Sequence, residues 1–169
     1  MHPLLPSRGR AYVVDSLVHL AVPVALVPVG LLLLLRRRHR DLDPRLLHAL
    51  SALPPVAATL IASAQDSRRG TWGHRSQGLV VRTADGQVPS SRRALLRNAV
   101  KTGVPWQLGH VVAIGAATGT LDRRDPWVVT ATAILYPWMA AAATAVALGS
   151  GRALHDRAAG TEVSTGVGT

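Results

Sequence analysis

Hydrophobic positions fall into four long runs, separated by short arginine-rich breaks and one long polar segment. The first run, Ala11 to Leu35, begins behind Arg8 and Arg10 and stops at Arg36, Arg37 and Arg38. At about 1.5 Å per helical residue it is long enough to cross roughly 30 Å of hydrocarbon with some tilt. It is too long for the apolar region of a secretory signal and no Ala-x-Ala site closes it, so it reads as a retained span. The second run, Leu46 to Ala64, carries Pro54 and Pro55, which predict a kink. The third, Val104 to Leu121, holds Gln107 and His110, and its Gly109, Gly115 and Gly119 would permit close helix contact. The fourth, Trp127 to Leu148, opens on an aromatic residue of the kind found at membrane interfaces.

The polar segment from Gln65 to about residue 103 has its own pattern. Gly78 to Val88 reads as a small β-hairpin about Asp85-Gly86, because that dipeptide supplies the positive φ of a tight turn. Ser90 or Ser91 then caps a helix through Arg92 to Lys101. On that helix Leu95, Leu96, Ala99 and Val100 turn one way, while Arg92, Arg93, Arg97 and Lys101 are left for headgroups, as in a helix lying on a membrane surface. The expected fold class is therefore an all-α polytopic helical membrane protein. It has four transmembrane helices, with the hairpin and the surface helix in the central loop. One membrane domain covers residues 1–163, and 164–169 form a disordered tail.

Composition narrows the class. Of 169 residues, 48% are hydrophobic and 17% charged, too little polar surface for a typical soluble globule. The formal net charge is +10, yet the arginines cluster between apolar runs, which suits loops against anionic lipid and argues against a nucleic-acid groove. With four spans, the N-terminus, the central loop and the C-terminus share one side and hold twelve basic residues against seven in the two short loops. The positive-inside rule then puts both termini in the cytoplasm. The absence of cysteine excludes disulfides and thiolate chemistry.

Few residues carry candidate chemistry. Asp15 and His19 lie one helical turn apart inside the first span, and Arg8 falls on nearly the same stripe. A carboxylate there is either a structural ion pair with Arg8 or Arg10, or part of a proton or cation path joined by His19 and His110. A lone buried histidine such as His110 is more often a packing residue. The seven histidines include no metal-binding pair spacing, and the chain has neither a nucleophile elbow nor a phosphate-cradling loop. No metal, cofactor or enzymatic activity is expected.

Several ordered motifs resemble one family. Arg8, Ala11, Tyr12 and Asp15 follow the Arg-x-x-Ala-Tyr-x-x-Asp opening of the RDD-family membrane proteins. Gly70-Thr-Trp-Gly-His-Arg, the turn at Asp85-Gly86, Leu96-Arg97-Asn98, and the closing Leu154-His155-Asp156 with Ala159-Gly160-Thr161 are similar to that family's later segments. His74 stands where lysine is common, which removes a permanent charge. The resemblance maps the family's arginine and two aspartates to Arg8, Asp15 and Asp156; with both termini on one side, Arg8 or Arg10 is expected to pair with Asp156 and close the bundle, leaving Asp15 for the interior. It implies a bacterial plasma-membrane protein and suggests transport of a small ligand or cation/proton exchange, with Asp15, His19 and His110 as the relay. Four spans are few for a carrier, so a homo-oligomer or another membrane subunit is expected. The alternative is a non-catalytic scaffold binding anionic lipid or a partner through Arg75, Arg92, Arg93, Arg97 and Lys101.

Overall fold

The computed structural model describes residues 2–36, 44–148 and 151–166. The chain is mostly helical with one small two-stranded antiparallel sheet. Helix α1, Leu5–Arg36, runs unbroken through Pro23 and Pro28. The second apolar run divides into α2, Pro44–Ser51, and α3, Leu53–Asp66. The division at Ala52 puts Pro54 and Pro55 in the first turn of α3, where a missing backbone N–H costs least. The interruption expected from the proline pair is thus a helix break that falls just before it.

A one-turn helix, α4 (Trp72–Ser76), leads into strand β1, Leu79–Thr83. Helix α5, Ser91–Asn98, is capped by Ser90, whose hydroxyl accepts from the Arg93 N–H. It passes through a π-helical turn, Ala99–Gly103, directly into α6, Val104–Ala117. Pro105 offers no N–H to the carbonyl of Lys101, so the α-helical ladder cannot continue there and the wider turn takes its place. The expected surface helix and third span are therefore one continuous helix. A turn joins it to α7, Pro126–Leu148, which is followed by α8, Leu154–Ala159, and β2, Thr161–Thr165.

The sheet corrects two expectations. The turn at Asp85-Gly86 forms, with Thr83 N–H donating to Gln87 O at 2.9 Å and Gly86 at φ 76°. No hairpin follows, because Pro89 cannot donate to a ladder and Ser90 already begins the next helix cap. β1 pairs instead with β2, in the register Leu79↔Thr165, Val81↔Val163, Thr83↔Thr161. Ser164 and Thr165 consequently belong to a strand and not to a disordered tail; 167–169 lie outside the described residues. Gly160, in the left-handed region at φ 63°, ends α8 and turns the chain into β2.

Two small cores result. Leu79, Val81 and Val163 pack against Ala11 and Leu4, seating the sheet on the start of α1. Val111, Val128 and Ala131 join α6 to α7. Gly115 permits that contact, since a Cβ there would stand 2.5 Å from a Val128 methyl, whereas Gly109 meets nothing. Outside these cores, large apolar side chains face outward: Leu17, Val24 and Val27 on α1, Val56 and Leu60 on α3, and Ile134 and Met139 on α7. Two helical stretches among the described residues, Leu46–Asp66 and Pro126–Ala147, are long and apolar enough to cross a membrane.

Ending the chain at Gly160 removes β2 and uncovers Leu79 and Val81, each now almost fully buried. That truncation is expected to lower the melting temperature by several degrees and to admit trypsin at Arg82; removal of 167–169 alone should do neither.

Candidate functional site

The polar side chains scattered through the sequence converge where the N-terminal end of α1 meets α8. Arg97 on α5 is at the centre, with no exposed surface. Its Nη1 donates to Asp66 Oδ2 at 2.6 Å and its Nε to Asp156 Oδ1 at 3.0 Å. Asp66 is the last residue of α3 and also accepts from Asn98 Nδ2 at 3.0 Å. Asp156, in the first turn of α8, accepts from its own helix start at the Ala153 N–H and from Arg8 Nη2 at 2.5 Å. Arg8 Nη1 donates to the Gly151 carbonyl. The expected pairing of Arg8 with Asp156 is therefore present, and one arginine from α5 and one from α1 share that carboxylate.

Asp15 is held separately. Its Oδ1 accepts from the Gly73 N–H at 2.8 Å, and its Oδ2 from Thr71 Oγ1 at 2.8 Å and Lys101 Nζ at 3.4 Å. Thr71 caps α4, which points the helix's first amides at α1. The approach depends on small residues. A Cβ on Gly73 would collide with the Ala11 carbonyl and come within 2.8 Å of the Asp15 carboxyl carbon. Lys101 sits in the π turn, its side chain 9% exposed. Burial, and then the Arg97 guanidinium, pull its ammonium below the usual lysine range.

Two histidines border the network. His74 Nδ1 stands 3.6 Å from Asp66 Oδ1, and His155 Nε2 stands 3.6 Å from Asp156 Oδ1. Burial, reinforced by Arg97, holds His155 well below the ordinary histidine range. Burial also lowers His74 against the opposing pull of Asp66. Asp156 behaves oppositely. Burial disfavours its charge, but Arg97, helped by Arg8, outweighs burial and keeps the carboxyl far below the usual carboxylate range.

Beside the network is a cavity of about 420 Å³. Arg8, Arg97, Lys101, His74 and His155 form its polar wall, and Trp138, Met139, Ala142, Ala143 and Val146 of α7 face them. Among the described residues none that lines it is acidic; Asp15, Asp66 and Asp156 pair with the cations without lining the cavity. Arg97 Nη2 is buried and has no hydrogen-bond partner among the described residues.

The remaining sequence candidates divide. His19 is buried beside Trp106, edge to face at 6.0 Å, and no hydrogen bond joins it to Asp15 among the described residues. His110 is on α6, which packs on α7 and α2, and enters no part of the network. Arg75, Arg92 and Arg93 are exposed as expected, Arg75 donating to the Gly70 carbonyl at 3.1 Å. Arg97 and Lys101 are not. The helix face facing outward is that of Leu95 and Leu96, 43% and 46% exposed, and the placement of Arg97 and Lys101 on the surface, open to headgroups or a partner, is overturned by their burial in ion pairs. Sequence reasoning passed over Asp66, and named Thr71, Gly73 and Asn98 only within motifs, without a role. For Asp66 the available signal was a lone carboxylate closing an apolar run, where an uncompensated charge is costly.

Compared with protein-family models, with curated proteins and with solved structures, the chain matches none.

Two outcomes follow from this geometry. Gly73→Ala should destabilise by about 1–3 kcal/mol and show it in thermal unfolding, since backbone and the Asp15 carboxyl must both give way. Acidification supplies the second. The histidines stay neutral when folded but protonate near pH 6.5 when unfolded, so stability is lost as pH falls below about 6.5. Asp156 adds a further loss below about pH 4. His155→Gln should flatten the decline in melting temperature between pH 7 and 5.

Proposed function

We propose that this is a multi-pass membrane protein that crosses the bilayer four times and binds a small anionic ligand for transport in the cavity beside Arg97. The observation that carries the reading is the cavity itself. Among the described residues, three cationic side chains, two histidines and no carboxylate form its polar wall, at one end of helices whose large apolar side chains face outward. An outward-facing apolar belt on α1, α3 and α7 is costly in water and natural in lipid.

The contacts of Arg8 with Gly151 and Asp156 bring the start of α1 to the segment that follows α7, which supports an even number of crossings. The distribution of arginine and lysine favours the cytoplasm for that side, and the resemblance to the RDD family implies a bacterial plasma membrane. The segments that resemble the RDD family also meet in space. Arg8, Asp15, Gly73, Arg97 and Asp156 are bonded into two adjoining clusters, which supports membership in that family.

Within this reading a ligand is favoured over cation or proton exchange. Asp15 accepts from three donors and serves as a tie between α1, α4 and the π turn, which makes it a poor relay. The cavity opens beside α7, so a second copy or another membrane subunit would complete the path. A scaffold role has one observation in its favour: Arg75, Arg92 and Arg93 remain exposed for anionic headgroups or a partner.

The natural absence of cysteine makes the topology directly testable. Single variants Ser7→Cys, Ser91→Cys and Ser164→Cys should react with an impermeant maleimide from the cytoplasmic side, and Thr120→Cys from the opposite side. Reaction of Thr120→Cys from the same side as Ser7→Cys would refute the four crossings. For transport, liposomes containing the purified protein should take up radiolabelled hexyl phosphate, and Ala142→Trp, which fills the cavity, should abolish uptake. Equal uptake with and without protein would favour the scaffold.

A further inference from the structure

The cavity is chemically two-sided, and its sides differ more than a simple anion site requires. One wall is built by α1, α5 and the π turn and presents guanidinium and ammonium groups. The other is the C-terminal half of α7, with Trp138, Met139, Ala142, Ala143 and Val146. Met139 is 56% exposed and Tyr12, on the near rim, 50% exposed, so the apolar wall continues outward onto the face that the proposed function turns to lipid.

On the polar wall, hydrogen-bonding capacity is left over. Arg97 has five N–H donors, and its carboxylate partners engage only Nη1 and Nε. Nη2 is buried and has no partner among the described residues, and Arg97 is one of the residues that line the cavity. A fully buried guanidinium with an unused edge is costly unless that edge meets an acceptor. Among the described residues Lys101 Nζ makes one hydrogen bond, to Asp15, from an ammonium with three donors. An oxyanion has the right charge and the right number of acceptor oxygens for both.

Resting on the reading of this cavity as a ligand site, we infer that its ligand is an anionic amphiphile. Its phosphate or carboxylate head takes Arg97 Nη2 and Lys101 Nζ, and its alkyl chain lies along α7 from Ala142 outward past Met139. Two sources share this chemistry, an anionic lipid entering from the bilayer and a single-chain amphiphile from water. The acidic partners Asp15, Asp66 and Asp156 stay behind the cations, so they fix the donors without repelling the head.

The test is equilibrium binding of radiolabelled dodecyl phosphate to the full chain in dodecyl maltoside. Phosphatidylcholine, phosphatidic acid, hexyl phosphate and inorganic phosphate serve as competitors. Dodecyl phosphate should bind at least tenfold tighter than phosphatidylcholine and at least a hundredfold tighter than inorganic phosphate. Displacement by phosphatidic acid would assign the bilayer as source. Displacement by hexyl phosphate alone would assign a soluble amphiphile, and both uphold the inference. Ala142→Trp, which touches no charge, should weaken binding at least tenfold with an unchanged melting temperature; Lys101→Gln should also weaken binding at least tenfold, with some loss of stability because Asp15 loses its counter-charge. Equal affinity for phosphatidylcholine, equal affinity for inorganic phosphate, or wild-type binding by Ala142→Trp would overturn it. Binding without hexyl phosphate uptake into liposomes would defeat the transport reading and leave this one standing. Uptake without dodecyl phosphate binding would do the reverse.

Discussion

A guanidinium with no exposed surface, clamped between two buried carboxylates, is the constraint on which the rest of this fold depends. Removing such a charge from water costs several kcal/mol, and only close geometry with further hydrogen bonds offsets it. Arg97 meets that condition by drawing Asp66 from the end of α3 and Asp156 from the start of α8 onto one side chain. Asp156 then recruits Arg8 from α1. Lysine could not replace it, because the separate Nε and Nη1 donors address two carboxylates in fixed directions.

Local features follow from the need to bring these charges together. Gly73 and Ala11 are small so that α4 can press on α1 and deliver a backbone N–H to Asp15. The π turn before Pro105 carries Lys101, whose ammonium reaches the same carboxylate. Gly160 reverses the chain after α8 so that β2 lies along β1, and the small sheet closes over the first turns of α1. The cationic donors left over face a cavity whose opposite wall is apolar, and this combination gives the site its chemistry.

Much of this was legible in the sequence, for identifiable reasons. Long apolar runs report helices directly, and Ser90 reports a helix start, because both signals are local. The Arg8–Asp156 pair followed from two charges at opposite chain ends sharing one membrane face. The partner of β1 was hidden, since a turn signal says nothing of a strand far along the chain; only Pro89 argued against the nearer pairing. The face of α5 was half legible. Leu95 and Leu96 do turn away from the protein, but leaving Arg97 for headgroups assumes that no carboxylate of the chain would meet it. Where the leucines face outward, the arginine is free to be the buried residue, and Asp66 is its unrecognised counterpart.

The most direct test of the account is thermal unfolding of Arg97→Gln beside Arg93→Gln, in one detergent. Arg97→Gln should lose about 3–5 kcal/mol, the cost of leaving buried carboxylates uncompensated, while Arg93→Gln, on the exposed face, should unfold like the parent chain. Equal melting temperatures for the two variants would contradict a fold organised around Arg97 and return the helix to the membrane surface.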